Sequence, residues 1–183
     1  MTVLHRAFTT DLQIRADGDG RVLFGPLLPW GVEARVFEPT VGRVVVEVFE
    51  RGALADVEAA AVPLTARHPR DNETLPIGVG VELRDEADAA HGAWHVSDTE
   101  AGNEVLALAR DGVPLSLSIG FVPAPGGSRW TQDRSRVTRT RAALDHVAVV
   151  RRGAYRGAAV LGVRAADGPA LALPRTTLAR RRR

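Results

Sequence analysis

Punctuation limits what this chain can fold into more than any single residue does. Runs of about four to eight residues alternate apolar and polar side chains and are bounded by Gly, Pro, Asp and Asn, the pattern of strands joined by turns. QIRADGDGRVLFGPLL (13–28) reads as a hairpin across a Gly/Asp turn, and GRVVVEVF (42–49) as a strand. VPLTARH (62–68) is a strand that runs into the polar turn PRDNET, and LPIGVGVELRDE (75–86) is another. LSLSIGF (115–121), SRVTRTRAALDHVAVV (135–150, one long extended stretch) and GAAVLGVRAA (157–166) follow. Helical spacing occurs in RGALADVEAAA (51–61) and in TEAGNEVLALARDG (99–112), where Val105, Leu106 and Ala109 share a side and Gly112 is a stop. Many short strands with two short helices predict an α+β, mainly β fold, a small antiparallel β-barrel or sheet flanked by the helices.

With 183 residues, 45% of them hydrophobic, the chain suits one globular domain, residues 1–166. A basic tail, DGPALALPRTTLARRRR (167–183), then lacks the periodicity to pack. There is no cysteine, which removes disulfides, thiolate nucleophiles and Cys-ligated zinc. All 24 basic residues are arginine, and without lysine there is no Walker lysine, no Schiff base and no Ser/Lys dyad. The start, MTVLHRAFTTDLQIRADGDG, has no apolar signal-like core, and no stretch approaches the roughly 18 apolar residues of a membrane span. A soluble cytosolic protein with no membrane contact is expected. The net charge of +2 hides a split: residues 1–128 carry 10 Arg against 19 acids, residues 129–183 carry 14 Arg against 3. That basic third keeps nucleic acid open as a partner. Trp130 and Tyr155 are its only aromatics, which does not favour a base-stacking platform.

LSLSIGF puts Leu115, Leu117, Ile119 and Phe121 on one face and Ser116, Ser118 and Gly120 on the other. A half-buried strand with a polar outer face accounts for this; so does a serine nucleophile on a rigid strand, which needs a base and a group to hold that base. Five histidines are available. His5 lies in a start expected to be mobile. His91 and His95 in HGAWH have the i,i+4 spacing of zinc ligands, but Gly92 replaces the glutamate of HExxH and no third ligand is evident, so no metal or other cofactor is expected. His68 closes an apolar strand and opens a polar turn, where an imidazole can face a cleft. His146 lies in LDHVAVV, where alternation groups it with Leu144, Ala148 and Val150 and sends Asp145 to the other face with Val147 and Val149. A G-x-S-x-G elbow is absent around Ser118, so an α/β-hydrolase is not supported.

VPLTARHPRDNETLPIG, LSLSIGF and LDHVAVV, in that order, together resemble the prohead (capsid-maturation) proteases of tailed bacteriophages, which are related in fold to the herpesvirus assemblins. The likeness runs from about residue 11 to 164 and takes in FGPLLPWG and VFERGAL. It implies a serine endopeptidase on a small β-barrel, with Ser118 as nucleophile, His68 as base and His146 as the orienting residue. Many phage members have an acid where His146 stands, while the herpesvirus enzymes use a second histidine followed by two arginines; HVAVVRRG has the latter form. Asp145 is the alternative third member if the register slips by one, and strand alternation opposes such a slip. Gly120 would leave room for a backbone to lie close, and Ser116 would support. The resemblance also implies an oxyanion site from the Arg151–Arg152 segment, and as substrates the scaffold or the scaffolding segment of the major capsid protein. Cleavage would occur in the interior of an immature capsid within the bacterial cytoplasm, self-cleavage is expected, and a homodimer is compatible. The rival readings are a non-enzymatic capsid-assembly or nucleic-acid-binding protein that works through its basic third, and a non-proteolytic barrel hydrolase.

Overall fold

A computed structural model of the chain describes residues 3–8, 13–16, 20–69, 74–151 and 162–165. Thirteen strands dominate it: β1 (Leu4–Phe8), β2 (Gln13–Ala16), β3 (Val22–Pro29), β4 (Ala34–Glu38), β5 (Arg43–Phe49), β6 (Pro63–Thr65) and β7 (Gly78–Asp85) come first. β8 (Ala89–Val96), β9 (Ser116–Pro123), β10 (Ser128–Trp130), β11 (Arg136–Arg139), β12 (Ala142–Val150) and β13 (Gly162–Ala165) complete the set. They form a nine-stranded sheet, ordered β1-β9-β12-β6-β7-β8-β3-β2-β13, and a four-stranded sheet, ordered β10-β11-β5-β4. The mainly β expectation holds, with one correction: the large sheet does not close, and β1 and β13 are its edges among the described strands. Nor are the sheets all antiparallel, since β12 runs parallel to β6 and β13 to β2 in the large sheet, and β11 to β5 in the small one.

Local chemistry explains most elements. The 13–28 hairpin forms as β2 against β3. The helix predicted over 99–112 is α1 (Glu100–Arg110): the Thr99 hydroxyl accepts from the Gly102 N–H at 3.1 Å, Val105, Leu106 and Ala109 are buried, and Gly112 follows at φ +73°. Residues 51–61 differ from the expected helix and form turns and one 3₁₀ turn, Ala59–Ala61. The Ala53 and Ala55 N–H groups bond three residues back, so each turn closes too tightly to extend. The stretch 135–150 is not one strand. β11 joins the small sheet and β12 the large one, with the break at Thr140–Arg141. The amino-terminal residues Leu4–Phe8, expected to be mobile, are strand β1 paired to β9. No helix of the described residues is long and apolar enough to cross a membrane.

The core lies between the sheets. Leu117, Ile119 and Phe121 of β9, Val147 of β12, and Leu64, Leu23 and Leu106 are all fully buried. Phe121 meets Phe49 edge-on at 5.0 Å between ring centroids. The guanidinium groups of Arg6 and Arg139 each stand 5.7 Å from the Phe121 ring centre. Both arginines pair with Glu47, Arg139 at 2.8 Å, and Arg139 also pairs with Glu38. All four charged groups are buried, so β1 of one sheet is tied to β5, β4 and β11 of the other through an ionic quartet that runs Arg6–Glu47–Arg139–Glu38. This arrangement presses β9 against the small sheet and turns its serine face to the opposite side.

Candidate active site

Adjacency in the large sheet assembles the site. β9 carries Ser118, whose register partner on β12 is Ala148; His146 lies two residues earlier on β12, opposite Gly120. β6 flanks the other side of β12 and delivers the chain to His68, three residues beyond its last residue. The expected strand 62–68 therefore stops at Thr65, and this release from the ladder lets His68 turn back over the sheet. His68 Nε2 lies 2.5 Å from Ser118 Oγ, and His68 Nδ1 lies 2.8 Å from His146 Nε2. The two imidazoles meet edge to face, with centroids 5.1 Å apart and planes at 73°. Ser118 and His146 are buried and His68 is half-buried, so these hydrogen bonds are partly shielded from water, which strengthens them. The serine face of β9 is thus covered rather than an exposed polar face.

Gly120 is needed for a reason other than the expected one. A Cβ there would stand 2.6 Å from His146 Nδ1 and 2.8 Å from its Nε2, so the imidazole, not a passing backbone, occupies the space above it. The placing of Asp145 also differs from simple alternation. Leu144 pairs with Phe121 and His146 with Gly120, so Asp145 is an extra residue, a β-bulge. The bulge lets two consecutive side chains act together. Asp145 Oδ2 lies 2.8 Å from His146 Nδ1, and no register slip is required. Sequence alternation could not anticipate this, because a bulge is a mismatch between two strands.

The remaining sequence candidates separate. Arg151 follows β12 directly and is exposed; Arg152 lies outside the described residues, as do the tail 167–183 and Tyr155. HGAWH is on strand β8, where four residues span about 13 Å, so His91 and His95 are not placed as helical zinc ligands would be. His91 instead brings a ring nitrogen within 4.8 Å of carboxylate oxygens of Glu86 and Asp88 at the β7–β8 turn, where Arg84 stands 3.7 Å from Glu86. Most arginines of 129–141 have protein partners. Arg129 pairs with Glu50, Arg136 with Glu33 at 2.5 Å, and Arg141 donates to the Pro125 carbonyl at 3.1 Å. Arg134 stacks 4.9 Å over Trp130, and Arg139 belongs to the buried quartet. Three of these five arginines are paired with carboxylates in place, which weakens the nucleic-acid reading.

Chemically, a hydroxyl, an imidazole within hydrogen-bond reach of it, and a second imidazole behind the first make a proton-accepting chain suited to nucleophilic attack. No curated protein matches the chain. Among solved structures, the bacteriophage T4 capsid assembly protease, gp21, is similar over 84% of this chain and 100% of its own, at 12% identity and a TM-score of 0.37. Residues 10–168 match the family of the caudovirus prohead serine protease, and the chain belongs to that family.

Proposed function

We propose that this protein is a serine endopeptidase that cleaves the scaffold, or the scaffolding segment of the major capsid protein, inside an immature capsid, and that it also cleaves itself. The observation that carries the reading is the 2.5 Å approach of His68 Nε2 to Ser118 Oγ, backed by His146 at 2.8 Å. Ser118 Oγ attacks the scissile carbonyl carbon as its proton passes to His68 Nε2. Collapse of the tetrahedral intermediate breaks the C–N bond, and His68 gives that proton to the leaving amine. Water then attacks the acyl-enzyme by the same route, releasing the acid and restoring Ser118. His146 holds the His68 ring in place. Ser118 is fully buried. The Arg151–Arg152 segment is assigned the oxyanion through its backbone N–H groups. Arg151 lies three residues past Ala148, roughly 10 Å along an extended strand.

A fluorophosphonate with intact-mass analysis tests this. One covalent adduct is expected on the wild-type chain and none on Ser118→Ala or His68→Ala, consistent with the roughly million-fold losses seen on removing such groups. Ser116→Ala should label normally. A dead Ser116→Ala beside a labelled Ser118→Ala would move the nucleophile by two residues.

A further inference from the structure

We propose that Asp145 is a positioning residue that selects the proton arrangement of the whole Ser118–His68–His146 chain, making it a four-membered relay. The proposal rests on the reading of Ser118 as nucleophile and His68 as base, and its own observation is the bulge that puts Asp145 Oδ2 2.8 Å from His146 Nδ1.

Two neutral imidazoles in a row have two proton arrangements of opposite direction. Each ring has one N–H donor and one bare nitrogen acceptor. In one arrangement His146 carries its proton on Nδ1, its Nε2 accepts from His68 Nδ1–H, and His68 Nε2 is bare toward Ser118. In the other, His146 Nε2–H donates to His68 Nδ1, and the second proton sits on His68 Nε2, where it can donate to Ser118 but cannot take its proton. Both arrangements use the same contacts, at 2.8 Å and 2.5 Å, so the three residues alone do not choose between them. Only the first is active.

Asp145 breaks that symmetry. An ionised carboxylate accepts and never donates, so its contact with His146 Nδ1 is a hydrogen bond only when that nitrogen carries the proton. The choice then propagates through His146 Nε2 to His68. During attack, His68 gains the Ser118 proton on Nε2 and can release its Nδ1 proton to His146 Nε2. The positive charge then rests on His146 beside the carboxylate, with every proton accounted for. The Asp145 side chain is 48% exposed against 3% for His146, so solvent screens its charge far more than its contact, and tautomer selection is its larger effect.

The test uses the full chain with ¹⁵N-labelled histidine, reading the His146 tautomer by NMR and the fluorophosphonate reaction in parallel. Wild type should show His146 protonated on Nδ1. Asp145→Ala should shift it toward the Nε2–H form and lower the maximal labelling rate about 10- to 100-fold at an unchanged half-saturating probe concentration. That is less than the roughly ten-thousand-fold cost of a wrong tautomer at a base held directly by Asp. Asp145→Asn, isosteric but able to turn its NH₂ group to donate to a bare Nδ1, loses the one-way selection and should also shift His146 toward the Nε2–H form and lower the rate. An unchanged His146 tautomer in Asp145→Ala overturns the proposal whatever the rate does. Absence of any adduct on wild-type Ser118 overturns the nucleophile reading instead, while the NMR readout, which needs no turnover, still decides the role of Asp145.

Discussion

At Gly120 a missing side chain does the positioning. Its α-carbon is the floor on which the His146 ring lies, and an added methyl would stand 2.6 Å from Nδ1, well inside van der Waals contact. Backbone on the opposed strand cannot yield cheaply in a close-packed core, so the ring must tilt. Gly120→Ala is therefore expected to cost about 1–3 kcal/mol of stability, as overpacking does. It should also lower fluorophosphonate labelling about 100-fold or more, because displacement of a catalytic group by an ångström is costly. A folded Gly120→Ala chain with a wild-type labelling rate would show that the His146 ring is not held from below. The role of this glycine was half legible: its place on the serine face follows from alternation, but its partner does not.

Elements with self-contained signals match their sequence expectation. α1 needs only its own residues: Thr99 as cap, an apolar stripe at Val105, Leu106 and Ala109, and Gly112 beyond the end. Thr99→Ala should lose about 1 kcal/mol, the usual worth of an amino-terminal cap, and a urea midpoint lowered at unchanged slope would show it. Residues 51–61 have similar helix-forming composition yet form turns. The Ala53 carbonyl accepts from the Ala142 N–H, so a tertiary bond competes with a helix ladder there. β12 has both kinds of information. Its apolar half, Val147 to Val149, follows from composition, whereas its bulge depends on where Leu144 and His146 meet β9.

The two sheets are joined at molecular scale by the buried quartet of Arg6, Glu47, Arg139 and Glu38. Glu47 serves both arginines, so Glu47→Gln removes the carboxylate charge beside Arg6 and one of the two beside Arg139, and a loss of about 3–5 kcal/mol is expected in chemical denaturation. Such a loss would loosen β1, whose residue Ala7 pairs with Ser118, so labelling should fall at temperatures where the fold survives. The quartet also sets an acid limit. Burial pushes the Glu38 carboxyl up, but hydrogen bonds from the Thr40 N–H and hydroxyl, together with Arg139, outweigh it and hold the carboxyl below its ordinary value near 4.5. The folded state thus binds fewer protons than the unfolded one. Its contribution is complete above that ordinary value and is lost as the pH falls below 4.5 through the folded value. A stability profile from pH 7 down to 3 should fall in that window, and Glu38→Gln should flatten the fall; an equally steep fall in Glu38→Gln would place the acid sensitivity elsewhere.

By itself the sequence determined a mainly β chain, one capped helix, the serine strand with its apolar back, and the absence of lysine and cysteine chemistry. Each of these is written in periodicity or composition and needs no distant partner. Tertiary structure alone decided that β11 and β12 part into different sheets, that β1 flanks the nucleophile strand, that the large sheet stays open, and that Asp145 and His146 act together. These depend on which strands lie side by side and in what register, and that is settled by packing and charge burial between residues dozens of positions apart. Arg6 and Glu47 are 41 positions apart, and His68 and His146 are 78.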